Sequence, residues 1–419
     1  LTVEIFAKNY RGFRELYFPL DGTSFLIGDN SSGKSSVLNL ANYVVSTELQ
    51  TTRVMKDSEP FGRYDFFSPY FSFADVTIGF KSSMKKRTVS KLITMKRRSD
   101  LLQPAVQRFT VVSDGMRLTF RQTERGCWFK TSVLPADYTW RDLCRVHEEP
   151  GGFKRFPMDA EGEAHSVNSV GFIFSLISKR LVGSQFGEAL LRSIEPAIPH
   201  DSAHIGPLRQ SPVPFYTHDR KYNVRGSHFA SMWHDMTKAK DAVYLDVVRK
   251  FGAESQLFED LSVEKLSKKV SASPLVVTVK KHGKDFTLAQ VGVGISQVVP
   301  IIVDAIFRKA TNDTVVMLLQ QPELHLHPIA QAALGEFIFS MADDSMWFVI
   351  ETHSDYLIDR FRINIKEKSE VKPARVLFCE NREDGNHCTI IEIGTDGEIV
   401  DPPENYRDFQ LNELMRTMF

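Results

Sequence analysis

The chain carries no surplus of charge: its 52 lysines and arginines match its 52 aspartates and glutamates. Neutrality supplies no bulk field for holding nucleic acid and leaves only a local patch to do so. Cysteine is scarce, with Cys127, Cys144, Cys379 and Cys388 scattered and no C-x-x-C pair among them. That argues against a disulfide framework and a zinc site and suits a reducing interior. No apolar run approaches the ~18 residues that would span a bilayer. The opening Leu1-Thr-Val-Glu-Ile-Phe6 alternates as a short strand does, unlike a signal peptide. A cytoplasmic protein without membrane contact is expected. Sustained a/d heptads are missing too, which excludes long coiled-coil arms. Apolar residues, at 42%, are as frequent as an ordinary globular core requires. The length allows about two to three domains, or one core with a large insertion.

The stretch Phe25 to Leu38 reads as a strand, a glycine-bounded loop and the start of a helix. Gly28, Gly33, Lys34 and Ser35 fit the phosphate-binding pattern G-x-x-x-x-G-K-[ST], with Asn30, Ser31, Ser32 and Ser36 completing the cradle. Glycines let successive N–H groups turn toward phosphate oxygens, Lys34 adds a point charge, and the Ser35 hydroxyl can ligate Mg²⁺. The positive end of the following helix points at the same oxygens. The apolar run before the loop, and Val37, Leu38, Ala41 and Val45 after it at helical spacing, supply the strand and helix that this pattern requires.

Ahead of the loop, Val3–Phe6, Glu15–Phe18 and Ser24–Ile27 read as strands, with a turn over Asn9–Gly12. After an irregular stretch around 59–63, runs at 75–80, 92–95, 109–112 and 117–121 predict an antiparallel group. The basic clusters Lys85–Arg87 and Lys96–Arg98 are read as a solvated edge that resists strand pairing, in preference to a nucleic-acid contact. A helical insertion is expected around Val170–Ile177, then a short strand into a turn at His204–Arg209, a helix over 243–251 and a strand at 275–279.

The densest motifs come last. Gln290-Val-Gly-Val-Gly294-Ile-Ser296-Gln297 is a glycine-bearing turn before an apolar helix. Thr314–Leu319 is a buried strand ending in Gln320-Gln321-Pro322-Glu323, where phosphate-loop enzymes place acidic residues that hold Mg²⁺ through water and activate the attacking water. Pro328 suits the first turn of the helix that carries Leu334, Phe337, Ile338 and Met341. A further strand, Trp347–Ile350, ends in Glu351-Thr-His353-Ser. Arg375–Glu380 is expected to be a last strand of the same sheet, followed by a hairpin about Thr395–Gly397.

In this order the motifs resemble those of the ABC/SMC-type AAA ATPases of bacterial antiphage systems, relatives of the ATPase halves of the overcoming-lysogenization-defect and Septu proteins. The resemblance covers the first ninety or so residues and the last hundred and forty, and nothing in it matches the middle of the chain. It implies an α/β phosphate-loop NTPase of ABC/SMC head type, with a mixed central sheet, an antiparallel β lobe and a helical insertion. The head would comprise residues 1–84 and 275–419, and a strand extension with the insertion would occupy 85–274. Two heads of such proteins sandwich two ATP molecules. Gly294, Ser296 and Gln297 would then face the nucleotide of the other subunit, and His353 would be the switch histidine. The resemblance further implies a homodimer or higher oligomer and a partner effector, a nuclease, since too few residues follow the histidine strand for an appended nuclease domain.

The departure from the pattern is at Gln320, where the resembling proteins carry glutamate. Glutamine keeps the size and an oxygen but loses the charge that holds the water shell of Mg²⁺ or accepts a proton. Either Glu323 or water partly compensates in a weak hydrolase, or Gln320 is an isosteric replacement introduced to trap ATP; Gln321 is the neighbouring candidate. The reading is thus an ATP-driven switch in antiphage defence. Its alternative is a DNA-repair or chromosome-maintenance ATPase that clamps nucleic acid.

Overall fold

A computed structural model describes residues 1–45, 74–84, 87–97, 104–123, 126–155, 183–193, 201–218, 221–238, 242–267, 269–270, 273–311, 314–368, 370, 372–404 and 406. The irregular stretch at 59–63, the expected helix around Val170–Ile177, and Lys85, Lys86 and Arg98 of the basic clusters lie outside them. The chain divides into two compact units, one of Leu1–Asp21, Asp29–Ser202 and Glu380–Cys388, the other of Gly22–Gly28, Ala203–Cys379 and Thr389–Phe419.

In chain order the elements begin with β1 (Thr2–Tyr10), β2 (Phe13–Pro19), β3 (Thr23–Gly28) and α1 (Lys34–Val45). Then come β4 (Val76–Met84), β5 (Arg87–Arg97), β6 (Pro104–Ser113), β7 (Met116–Thr123), β8 (Gly126–Val133), α2 (Trp140–Glu148), β9 (Lys154–Arg155) and α3 (Gln185–Arg192). The first unit is built on an eight-stranded sheet of order β2-β1-β4-β5-β6-β7-β8-β9, antiparallel at every pairing. Two residues separate β1 from β2, β4 from β5, β6 from β7 and β7 from β8, and a link that short can join only antiparallel neighbours. The basic residues of β5 are not on an edge: β5 pairs with β4 on one side and β6 on the other, and Lys96 lies opposite Ala105. The edge reading of that cluster is thereby corrected.

A capping box of Thr139 and Asp142 starts α2, which lays Leu143 on Phe6, Leu92 and Val112. Its His147 is fully buried between the Thr94 hydroxyl (2.7 Å from Nε2) and the Thr110 hydroxyl (2.6 Å from Nδ1). Those threonines bond in turn to Thr77 and Thr119, so one polar chain crosses β4 to β7. Burial, with Arg108 and Arg117 adding to it, pushes the His147 imidazole down to about 3.

The second unit continues with β10 (Asp201–Ile205), α4 (Phe229–Lys238), α5 (Ala242–Ser255), β11 (Asp260–Lys265), β12 (Leu275–Lys281), β13 (Lys284–Thr287), α6 (Val293–Thr311) and β14 (Val315–Gln320). The chain ends with α7 (Pro328–Met341), β15 (Met346–Glu351), α8 (Asp355–Lys368), β16 (Ala374–Arg382) and β17 (Gly385–Glu392), of which Glu380–Cys388 fall in the first unit. The main sheet of the second unit has the order β10-β14-β15-β3-β16-β17. The pairings of β14 with β15, β15 with β3 and β3 with β16 are parallel, and the two-residue link from β16 to β17 makes the sheet mixed. Runs such as Val315–Leu319 and Met346–Ile350 are buried throughout, as parallel strands covered on both faces must be. Phe25, Leu319, Ile350, Val376 and Phe361 share one core with Trp233, whose indole N–H donates to Leu261 O at 3.1 Å.

The fold is therefore α/β, with a mixed sheet and a separate antiparallel sheet, as the motifs led one to expect. Arg375–Glu380 does join this sheet, beside β3, but it is not its last strand: β17 follows. The expected terminal hairpin about Thr395–Gly397 is present in short form, with an antiparallel bridge between Ile393 and Ile399 and the Gly394 and Val400 N–H groups donating to Glu398 O and Glu392 O, while Ile390 and Ile391 belong to β17.

Candidate functional site

The phosphate-binding pattern forms the predicted strand, loop and helix: β3 leaves the sheet at Gly28 and α1 begins at Lys34. Gly28 has φ +134°, and a Cβ there would lie 1.9 Å from Cys379 O on the neighbouring strand. Gly33 has φ +98°, and a Cβ there would lie 2.5 Å from the Phe13 ring. Both positions therefore exclude side chains, leaving backbone to line the loop. Lys34 Nζ donates to Asp29 O at 2.6 Å, and Ser36 and Val37 donate their N–H groups to Gly33 O. Ser36 is held by Arg11 at its hydroxyl (3.2 Å) and by Tyr10 at its carbonyl (3.2 Å). Ser32 is buried with its hydroxyl unpartnered, Ser31 takes a left-handed φ of +63°, and Ser35 is exposed at the helix start. Asn30 is exposed as well. A glycine-lined loop with one lysine at a helix N-terminus fits a polyphosphate, and an exposed Ser35 hydroxyl fits a Mg²⁺ ligand.

The downstream motifs meet within the second unit. Because β14, β15 and β3 run parallel, their C-terminal ends share one edge of the sheet: Gln320 pairs with Glu351, and Glu351 with Leu26, two residues before Gly28. Gln320 Nε2 donates to Glu351 Oε2 at 3.2 Å, and Gln320 Oε1 lies 3.3 Å from His204 Nε2. An ionised carboxylate only accepts, so the amide N–H belongs to Glu351 and His204 must donate from Nε2. Burial pushes the His204 imidazole below its ordinary range, opposed by the bond to Gln320 and by the charge of Glu351.

Gln321 turns the chain away with φ +43°, and its N–H donates to Glu351 O at 2.7 Å. Arg209 clamps that turn, donating from Nη2 to Gln320 O and Gln321 O at 3.0 Å each. Burial pulls the Arg209 guanidinium down to about 10, and the Glu323 carboxylate opposes the shift. Glu323 itself accepts the His353 N–H at Oε1 (2.7 Å), while its Oε2 is buried without a partner. His353 is exposed. Ser354 Oγ donates to Gln331 and accepts the Leu357 N–H, starting α8.

Residues 221–358 match a family model described as an AAA ATPase domain. The match covers about a third of the chain, taking in Gln320, Glu323 and His353 but not the loop at 28–36. No curated protein matches the chain. Among solved structures, an Smc head bound to the C-terminal winged-helix domain of ScpA is similar at 9% identity and a TM-score of 0.48, over 93% of this chain and 97% of that one. An SMC head domain from Thermotoga maritima gives 10% and 0.42, over 93% and 98%. An Smc head with an extended coiled coil, bound to the C-terminal domain of ScpA derived from Pyrococcus furiosus, gives 10% and 0.42, over 99% and 100%. Inside the matched segment, the expected glycine-bearing turn is shorter than predicted: Val291 and Gly292 turn the chain, and α6 already begins at Val293. Ser296 is buried and its hydroxyl donates to Val293 O at 2.7 Å. Gln297 is buried beside it, and a Cβ on Gly294 would lie 2.7 Å from His325 O, so this helix start sits against the turn after Glu323.

Sequence reasoning missed Glu351, His204 and Arg209 as members of the cluster. Glu351 was visible as the last residue of a buried strand adjoining the histidine motif. His204 and Arg209 bracket a Gly-Pro turn, a weak signal for charged side chains that return to the core.

Proposed function

We propose that the chain binds ATP with Mg²⁺ on the loop Gly28–Ser36 and hydrolyses it, acting as a switch that pairs with a second copy and controls a partner effector, a nuclease, in antiphage defence. The head would comprise 1–84 and 275–419, as the motifs suggest. The observation that carries the ATPase reading is the shared edge of β14, β15 and β3, where Gln320, Glu351 and Gly28 come together in sequence-distant order. The match of 221–358 to an AAA ATPase domain supports it. The defence role and the effector rest on the resemblance of the motifs, and the cytoplasmic location on the scattered cysteines.

Within this reading Lys34 offsets the phosphate charge, backbone N–H groups of the loop orient the phosphates, and Ser35 and Gln320 are the candidates to hold the metal, directly or through water. When bound, Mg²⁺ neutralises charge on the phosphates. Pairing would bring Gly294, Ser296 and Gln297 to the partner's nucleotide, with His353 as the sensing residue. None of the described helices is long and apolar enough to cross a membrane.

Equilibrium dialysis tests the core of the proposal. Lys34→Ala is expected to weaken ATP binding at least about tenfold, because backbone N–H groups alone do not balance the phosphate charge; unchanged binding overturns it. For the role, phage plating on cells that express the chain with its neighbouring genes should lose protection with Lys34→Ala. ATP turnover stimulated by DNA, with no effect on plating, would replace the switch with a chromosome-maintenance ATPase.

A further inference from the structure

Two carboxylates touch the strand-end cluster, and their surroundings set them different tasks. Glu323 spends Oε1 on the His353 N–H and keeps Oε2 buried near Arg209. Its one side-chain hydrogen bond holds the His353 backbone, the work of a brace. Glu351 ends β15 opposite Gln320, and its Oε2 meets Gln320 Nε2 at 3.2 Å. The carboxylate that Gln320 lacks is thus present one strand away, within hydrogen-bond reach of the Gln320 side chain. His204 fixes the other end of that amide, so Gln320 is oriented to present its N–H to Glu351 and not the reverse. Arg209 and the Gln321 N–H hold the backbone of both strand ends, the latter through Glu351 O itself. A side chain 7% exposed, gripped through its own backbone and a neighbouring amide, has little freedom. That is how a group is kept in place for chemistry.

We propose that Glu351 is the catalytic carboxylate of ATP hydrolysis in this chain, that Gln320 is its positioning residue, and that Glu323 braces the His353 loop. The inference rests on the ATPase reading above. Glu351 takes a proton from the attacking water as the water oxygen bonds to the γ-phosphorus. The bond from that phosphorus to the β,γ-bridging oxygen breaks, and ADP leaves with the electron pair. The proton then passes from Glu351 to the phosphate product. On this assignment the missing charge at Gln320 is a relocation: the acid has moved to the adjacent strand.

The test compares the full chain with Glu351→Gln, Glu323→Gln and the exchange variant Gln320→Glu/Glu351→Gln, reading ATP binding by equilibrium dialysis in Mg²⁺ and steady-state phosphate release. Glu351→Gln is expected to bind ATP within about twofold of the unaltered chain yet to release phosphate ~10²–10⁴-fold more slowly. The exchange variant should recover at least about tenfold of that loss, since it returns a carboxylate to nearly the same point; a purely structural role for Glu351 predicts no such rescue. Glu323→Gln, whose amide oxygen still accepts the His353 N–H, should cost about tenfold. Equal turnover by Glu351→Gln, an exchange variant no faster than the single one, or ATP binding without any turnover by the unaltered chain each overturns the assignment while leaving ATP binding intact. Absence of ATP binding by the unaltered chain overturns the ATPase reading and the assignment with it. Should Glu351→Gln fail to fold, Glu351→Asp, which keeps the charge but shortens its reach, is expected to bind ATP and lose rate; full rate in that variant counts against the proposal.

Discussion

The two sheets solve the burial of polar groups in opposite ways. In the antiparallel sheet of the first unit, strand ends alternate from one edge to the other, so no edge collects the ends of successive strands. Four of its buried threonines and one histidine form a chain across the strands instead, Thr77, Thr94, His147, Thr110 and Thr119, in which both imidazole nitrogens are bonded. In the second unit, parallel strands end together, and the residues at those ends (Gln320, Glu351 and the turn at Gln321) are held by partners yet stay beside the point where the chain leaves the sheet. Closure of a polar network stabilises; an open edge of converging strand ends is where chemistry can be done.

The comparison is most sharply broken at Gly28. Alanine there would place a Cβ 1.9 Å from Cys379 O and demand a φ that L residues avoid, so the parallel edge must part between β3 and β16. Gly28→Ala is expected to cost about 4 kcal/mol or more, read from urea unfolding. The antiparallel network should yield next. His147→Ala removes the link between β5 and β6 and leaves a cavity, a loss of about 3 kcal/mol on the same measurement.

The pH dependence of that network has a definite sign. Folding holds His147 at about 3, far below the 6.5 of an unconstrained imidazole, so the unfolded chain binds more protons between those values. The stabilisation is fully present above pH ~6.5 and is lost as pH falls toward 3, with a limiting slope of about 1.4 kcal/mol per pH unit. His147→Ala should flatten this part of the stability profile, and an unchanged slope would mean that other groups set it. Smallest is the effect of Arg209→Ala, which frees the Gln320 and Gln321 carbonyls at an edge already close to solvent. About 2 kcal/mol is expected, with a slower phosphate release that tracks the loosened turn.

Much of the local structure was legible before any fold was known. The loop from Gly28 to Ser36, the buried strands before Gln320 and Glu351, and the helix opened by Pro328 each announce themselves through periodicity, glycine placement and capping, which depend on neighbours in the chain. The glycine-bearing stretch at 290–297 was read less well, because two glycines suggest a longer turn, while Gly294 already lies in the helix and packs on His325 and Leu326. The basic cluster on β5 was misplaced for a similar reason: charge marks exposure of a side chain, not the position of its strand in a sheet.

What the sequence by itself determined, then, is most of the strands and helices, and the glycine-bounded loop between β3 and α1 that carries the phosphate-binding pattern. Only the tertiary structure decided which strand ends meet. Strand order in the mixed sheet runs β10-β14-β15-β3-β16-β17, so residues from opposite ends of the chain become neighbours with no trace in local pattern. His204 and Arg209 reach Gln320 across more than a hundred residues, and Glu351 reaches it across one helix and one strand. Periodicity is enforced by the backbone over a few residues, whereas this meeting is enforced by the burial of several apolar strands in one core. That is why the missing carboxylate of Gln320 could be seen in the sequence, and its neighbour Glu351 could be placed against it only in the fold.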